Sequence, residues 1–145
     1  MAKLTASRGA QPVMLAEFTF NFDDTMVDVT GVEKDFGKTN IASTVFEIAN
    51  LPQGAIVVGG EVVTDTAFDA ATYTVSVGDS GSATRYMAAT DRKGTGRTAL
   101  TPTGYRTDGA NIRVTVAAAD VCTAGKMSVR VQYITEGRVC EVNPS

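Results

Sequence analysis

At 145 residues, with 43% hydrophobic and 20% charged side chains, the chain is long enough for one domain that buries roughly 70% of its unfolded surface, and its composition argues against disorder except at the ends. A net charge of −3, no histidine and only two cysteines exclude Ser-His-Asp and Cys-His catalysis, His-containing metal sites and a secreted disulfide scaffold. No apolar run approaches the roughly 18 residues of a membrane span and no leading segment has signal-peptide form, which reads as a soluble chain made in the cytosol.

The charge is unevenly spread. Residues 11–79 carry 11 acidic against 2 basic side chains, and residues 80–145 carry 5 against 9. Such a split reads either as a means of steering association with a partner or another copy, or as chance segregation on solvated strand faces.

Residues 1–12 show no periodicity and end in Pro12, so they read as a flexible arm. From Val13 the pattern changes. Met14, Ala16, Phe18, Phe20 and Phe22 alternate with Leu15, Glu17, Thr19 and Asn21, the period of a half-buried strand. Asp23-Asp24-Thr25 breaks the run, and Val27 and Val29 form a short continuation before a loop at 30–39. Thr44 to Asn50 alternates again. Ile41, Val45 and Ile48 also suit a helix over 40–49, but β-branched content favours a strand.

Leu51-Pro52-Gln53-Gly54 has the composition of a type I turn, with Pro second and Gly fourth. The run from Ala55 to Thr66 follows, with Ile56, Val58, Val62 and, just beyond it, Phe68 on the expected core face and Glu61 and Asp65 opposite. Gly59-Gly60 inside it predicts a bulge, a bend or the close approach of another backbone. Tyr73, Val75 and Val77 mark a further strand, Gly78 to Ser82 a loop, and Arg85 to Ala89 a short strand. Thr90 to Gly96 reads as a mobile, basic, exposed loop, and Arg97 to Leu100 as an extension. Asp108-Gly109 is a hairpin signal ahead of Ile112, Val114 and Val116. The last strong strand carries Met127, Val129, Val131 and Tyr133.

These elements predict an all-β, single-domain antiparallel sandwich, most economically a jelly roll of about eight strands, because only stacked or closed sheets bury so many one-sided strands. The expected organisation is an arm at 1–12, the sandwich at 13–138 and a tail at 139–145. Cys122 and Cys140 read as reduced, partly buried thiols that pair only where the fold brings them together.

Motifs for chemistry are sparse. Gly78-Asp79-Ser80-Gly81 resembles the surroundings of a serine nucleophile, but without histidine it reads as a loop. Gly94-Thr95-Gly96 lacks the strand and helix of a dinucleotide fingerprint. Asp23, Asp24 and Asp28 do not have calcium-loop spacing and read as a solvated acidic turn. No cofactor, metal or catalytic residue is expected. Arg85, Arg92, Lys93, Arg97, Arg106 and Arg113 form a basic group, but the chain is acidic overall and only Tyr86 and Tyr105 accompany them, so neither nucleic acid nor membrane is the expected partner.

Three stretches carry a resemblance. Leu51 to Phe68, Tyr73 to Asp79, and Thr123 to Ile134 followed by Glu136-Gly137-Arg138 resemble the head decoration, or cement, proteins of tailed double-stranded DNA bacteriophages. The likeness covers less than half of the chain and consists of strand and turn signatures. It implies a jelly-roll fold, self-association into dimers or trimers, and attachment to the major capsid protein on the outer surface of the virion after synthesis in the host cytoplasm. Partner-binding residues expected on this basis are Lys3, Leu4 and Arg8 in the arm and Arg92, Lys93 and Arg97 in the basic loop. Two alternatives stay open: a jelly-roll module of a head or tail fibre that binds a glycan or receptor, and a hydrolase using a carboxylate pair.

Overall fold

The computed structural model describes residues 12–135, so residues 1–11 of the expected arm, the tail at 139–145 and Cys140 lie outside the described residues. Strand β1 spans Met14–Asn21, β2 Thr25–Val27, β3 Glu33–Asp35, β4 Thr44–Ala49 and β5 Ala55–Thr66. They are followed by β6 Tyr73–Gly78, β7 Met87–Asp91, β8 Gly96–Ala99, β9 Ile112–Ala118 and β10 Lys126–Thr135. No helix forms among the described residues.

Two four-stranded sheets, β1-β10-β5-β8 and β4-β9-β6-β7, pack face to face, and β2-β3 forms a separate ribbon. With the ribbon set aside, the remaining strands pair first with eighth, second with seventh, third with sixth and fourth with fifth. This is one long antiparallel hairpin, rolled up so that β10 meets β5 and β9 meets β6. The domain is therefore a jelly roll, with two more strands than the expected eight or so because the short continuation at Val27 is the separate strand β2 and the segment read as the loop 30–39 supplies β3.

The inward faces follow the alternation. Phe20, Val62, Met127, Val129 and Val131 from one sheet meet Phe46, Tyr73, Val75, Val77, Ile112 and Val114 from the other, all of them buried. Burial on this scale stabilises by about 25 cal/mol for each Å² of apolar surface removed from water. Thr44–Ala49 is a strand, as its β-branched content predicts, because β9 pairs with it from Thr44 to Ala49, with a bulge at Ile48.

In β5 the alternation changes phase. Gln132 faces Gly59 and Tyr133 faces Val57, so Val58 has no opposite residue and a bulge sits just before Gly59-Gly60. Side chains therefore face inward at Ala55 and Val57 before the bulge and at Val62 and Thr64 after it. The expected placement of Ile56 and Val58 on the core face is corrected: Val57 is 1% exposed, whereas Val58 is 38% exposed. One extra residue inverts the faces of everything on one side of it.

Two turns also differ from expectation. The Ala55 amide donates to the Pro52 carbonyl at 3.1 Å, and Gly54 has φ of +84°. The turn thus begins at Pro52 and places glycine third, where a positive φ is required, as in type II. Asp108-Gly109 does not close a hairpin between neighbouring strands. It carries the chain from Arg106, bridged to Ile56 beside the first sheet, into β9 of the second. The dipeptide specifies a local reversal, and long-range pairing decides what it joins.

Gly60 needs more than a permissive φ. A Cβ there would lie 2.3 Å from the Arg130 carbonyl oxygen and 3.1 Å from the Val131 Cα, both backbone atoms of β10. The Gly54 position opens onto free space. Gly60→Ala is expected to destabilise by about 3 kcal/mol through overpacking, and Gly54→Ala by only about 1 kcal/mol through its positive φ. Urea unfolding midpoints of the two variants check this, and equal shifts would refute the close-approach account.

Candidate functional site

Lys3, Leu4 and Arg8 lie outside the described residues. Arg92 and Lys93 lie between β7 and β8, and Arg97 is in β8. The segment they share is not the mobile loop its composition suggested, because Thr90 and Asp91 belong to β7 and the rest is tied down. The Arg92 amide donates to the Tyr73 carbonyl at 2.8 Å, its carbonyl accepts from the Thr64 hydroxyl at 2.7 Å, and the Lys93 carbonyl accepts from the Phe68 amide at 2.8 Å. The Lys93 ammonium reaches the Ala71 carbonyl at 2.9 Å. Asp91 receives the Tyr73 amide at 3.1 Å, which holds its carboxyl below the usual range. Composition could not foresee these partners because they come from the end of β5, the start of β6 and the connection between them, 18 to 28 residues away in sequence.

Arg97 is separated in role from its neighbours. It faces outward and pairs with Glu61, which also accepts from Arg130 at 3.0 Å; Arg130 in turn reaches Glu17 at 2.9 Å. The result is a ladder of alternating charge, Glu17, Arg130, Glu61 and Arg97, running across β1, β10, β5 and β8. Hydrogen bonds from Arg97, opposed by partial desolvation and reinforced by Arg130, lower the Glu61 pKa. Leu15, Gly60 and Gln132 join three of these charges around a shallow cavity of about 250 Å³. Period-two patterning puts Glu17 and Arg130 on outward faces, but only the strand order brings them together.

Asp79 and Asp24 serve local turns. Asp79 accepts from the Gly81 and Ser82 amides at 2.9 and 3.0 Å and from Arg85 at 2.7 Å, so the segment resembling a nucleophile loop is organised around its aspartate. Arg85 also lies 3.6 Å over the Tyr105 ring, a cation–π contact. Asp24 caps its own turn by accepting from the Asn21 amide at 2.7 Å. Among the described residues, no group of three or more Asp, Glu or Cys side chains is placed to hold a metal ion.

Asp28 and Asp35 brace the ribbon from its two strands. Asp28 accepts from the Thr30 hydroxyl at 2.6 Å, from the Thr30 and Val32 amides, and pairs with Lys34 at 3.4 Å. Asp35 accepts from the Gly37, Thr39 and Asn40 amides, each at 3.0 Å, and from the Thr39 hydroxyl. This braced ribbon exposes Val27 and Val32, each more than half accessible. At the opposite end of the sandwich Val13, Met14 and Leu15 are likewise exposed at the start of β1.

No protein-family model matches the chain, and no curated protein matches it. Solved structures do. A chain of the capsid asymmetric unit of cyanophage Pam1 superposes with a TM-score of 0.58 and 26% identity, over 93% of this chain and 91% of that one. A chain of the acid-stable capsid of Helicobacter pylori bacteriophage KHP30 superposes with 0.57 and 19% identity, over 85% and 87%. One from the capsid of Ralstonia phage GP4 gives 0.56 and 17%, over 93% and 90%. This jelly roll is thus shared, nearly end to end, with chains of three phage capsid structures.

The ribbon carboxylates set an acid limit. The Thr30 hydroxyl, helped by backbone amides and Lys34, brings Asp28 from 3.8 to about 2 despite desolvation. Desolvation opposes the same shift at Asp35, but Thr39, Asn40 and Gly37 overcome it and also bring the pKa to about 2. A folded pKa below the unfolded one means that the stabilisation is complete above the unfolded value of 3.8 and is lost as pH falls through about 2. Hydrogen exchange at the Thr30, Val32 and Thr39 amides is therefore expected to accelerate over that interval relative to the core strands, and Asp28→Asn with Asp35→Asn to remove the dependence.

Proposed function

We propose that this chain is a non-enzymatic phage head protein that decorates the outer surface of the capsid and stabilises contacts between major capsid protein subunits. The observation that carries the reading is the near-complete overlap with a capsid chain of cyanophage Pam1 at 26% identity, which supports a structural role in a phage head. The finer assignment, decoration of the shell, rests on the sequence resemblance to cement proteins together with surface chemistry suited to the task.

A decorating protein holds its lattice through several modest interfaces that add up by multivalency. The basic corner supplies one such surface, with Arg92 and Lys93 pre-ordered by backbone ties to Tyr73, Thr64 and Phe68 and Arg97 by its pairing with Glu61. A pre-ordered loop loses little conformational freedom on docking, so more of the contact energy is realised as affinity. The charge ladder lies on the same sheet as Arg97 and presents alternating signs, which favours a partner with matched charges over a uniformly charged one.

Mixing the protein with expanded, undecorated heads and pelleting them tests this reading. The protein is expected to co-sediment at a fixed ratio to the major capsid subunits, and a protein that stays in the supernatant at low and physiological salt would overturn the assignment. Lys93→Glu combined with Arg97→Gln is expected to weaken co-sedimentation by about tenfold and to flatten its salt dependence, because rim charges act chiefly through steering.

A further inference from the structure

Between β1 and β2 the fold leaves room for a strand. The chain reverses at Asn21–Asp24, where the Asp24 amide donates to the Asn21 carbonyl at 3.2 Å, yet β1 and β2 do not pair. The ladder of β1 goes to β10 and that of β2 to β3, so each strand keeps one edge outside these ladders. A groove of about 420 Å³ lies there, lined by Phe18, Thr19, Phe20, Thr25, Met26 and Phe36, with Asp24 at its margin. Phe18, Thr19 and Phe20 are consecutive and point to alternate faces, so the groove runs along the edge of β1 rather than over one face. Open strand edges flanking an apolar floor are the elements of strand addition, in which backbone hydrogen bonds bind and alternate side chains enter pockets.

We propose that this slot is filled by residues 1–11 of a second copy of the chain. The segment has the complementary chemistry. It contains no acidic residue, carries Lys3 and Arg8, and has Leu4 as its single large apolar side chain after Met1. The slot offers Leu4 the partly exposed Phe18 and Met26, Phe20 and Phe36 being themselves buried in the core, and the turn beside it carries Asp23 and Asp24. The starting point of the segment agrees with an exchange between copies. It joins the described chain at Pro12, at the end of β1 remote from the Asn21–Asp24 turn, so to fill the slot of its own copy it would have to double back along β1. Eleven residues extend to about 36 Å, enough to cross to a neighbour. Exposed Val13, Met14 and Leu15 at the departure point would be covered by the same neighbour. The capsid reading is not needed for this inference, which concerns how copies join one another.

Cross-linking of the full chain tests it, in a Cys140→Ser background that leaves Cys122 buried. A Leu4→Cys variant is mixed with a Thr25→Cys variant and treated with a mild oxidant, which takes up the two electrons released as the disulfide forms. Covalent heterodimer is expected at about tenfold the yield of a control mixture in which Thr84→Cys, at the far end of the sandwich, replaces Thr25→Cys. Thr25 and Thr84 are exposed and Leu4 lies outside the described residues, so none of the three substitutions touches the described core. Equal yields in the two mixtures would overturn the proposal. So would the double variant Leu4→Cys/Thr25→Cys, diluted into excess unmodified chain, if it closed its disulfide within single chains, for then each copy fills its own slot.

Discussion

The position of Phe36 holds the two sheets in register on the side where β1 and β4 form their edges. Its ring stacks on Phe20 of the first sheet and on Phe46 of the second, with centroids 4.2 Å away in both cases. Its carbonyl accepts the Tyr73 hydroxyl, so the ring and the backbone of one residue tie β1, β4 and β6 together. Burial drives the Tyr73 pKa far upward, which keeps this hydroxyl a neutral donor at any ordinary pH. Phe68 stacks on Tyr73 at 3.7 Å and extends the aromatic line through the core. Stacked pairs add about 0.5–1.5 kcal/mol each beyond their buried area, and they fix ring orientation as area alone does not.

This constraint explains why the ribbon is rigid. Phe36 directly follows β3, and Asp35 beside it closes the next turn through Gly37, Thr39 and Asn40. The anchored ring thus sets where β3 ends, and the paired strands β2 and β3 hold their position relative to β1. The slot beside β1 is a consequence of that spacing: its floor is built from the same rings that join the sheets. The apolar surface exposed on the ribbon is held out by a braced framework, which suits a docking surface better than a self-burying loop.

The rolled hairpin distributes the surfaces in a similar way. Residues distant in sequence, Glu17, Glu61, Arg97 and Arg130, meet on one outward face because the roll brings first, last and middle strands side by side. The bulge before Gly59 lets β5 belong to this sheet along its whole length while its side chains change face part-way. The basic corner at Arg92 and Lys93 is steadied by the ends of β5 and β6, so the segment that composition marked as mobile is among the better anchored connections.

By itself, the sequence determined the class of fold, the long strands of the two sheets and most of the core. Alternation in Met14–Asn21, Tyr73–Gly78, Ile112–Ala118 and Lys126–Thr135 is a local signal, written by the need of each strand to bury one face. The Gly59-Gly60 pair marked an irregularity in its strand, a bulge, a bend or a close approach, and the structure has both a bulge beside it and a close approach at Gly60. Tertiary structure alone decided the phase change in β5, the second sheet's claim on the Asp108-Gly109 turn, the ribbon, the charge ladder and the slot beside β1. Each depends on which strand lies next to which, and that is settled by ring stacking and backbone pairing between segments tens of residues apart, whose relative register no short stretch of sequence records.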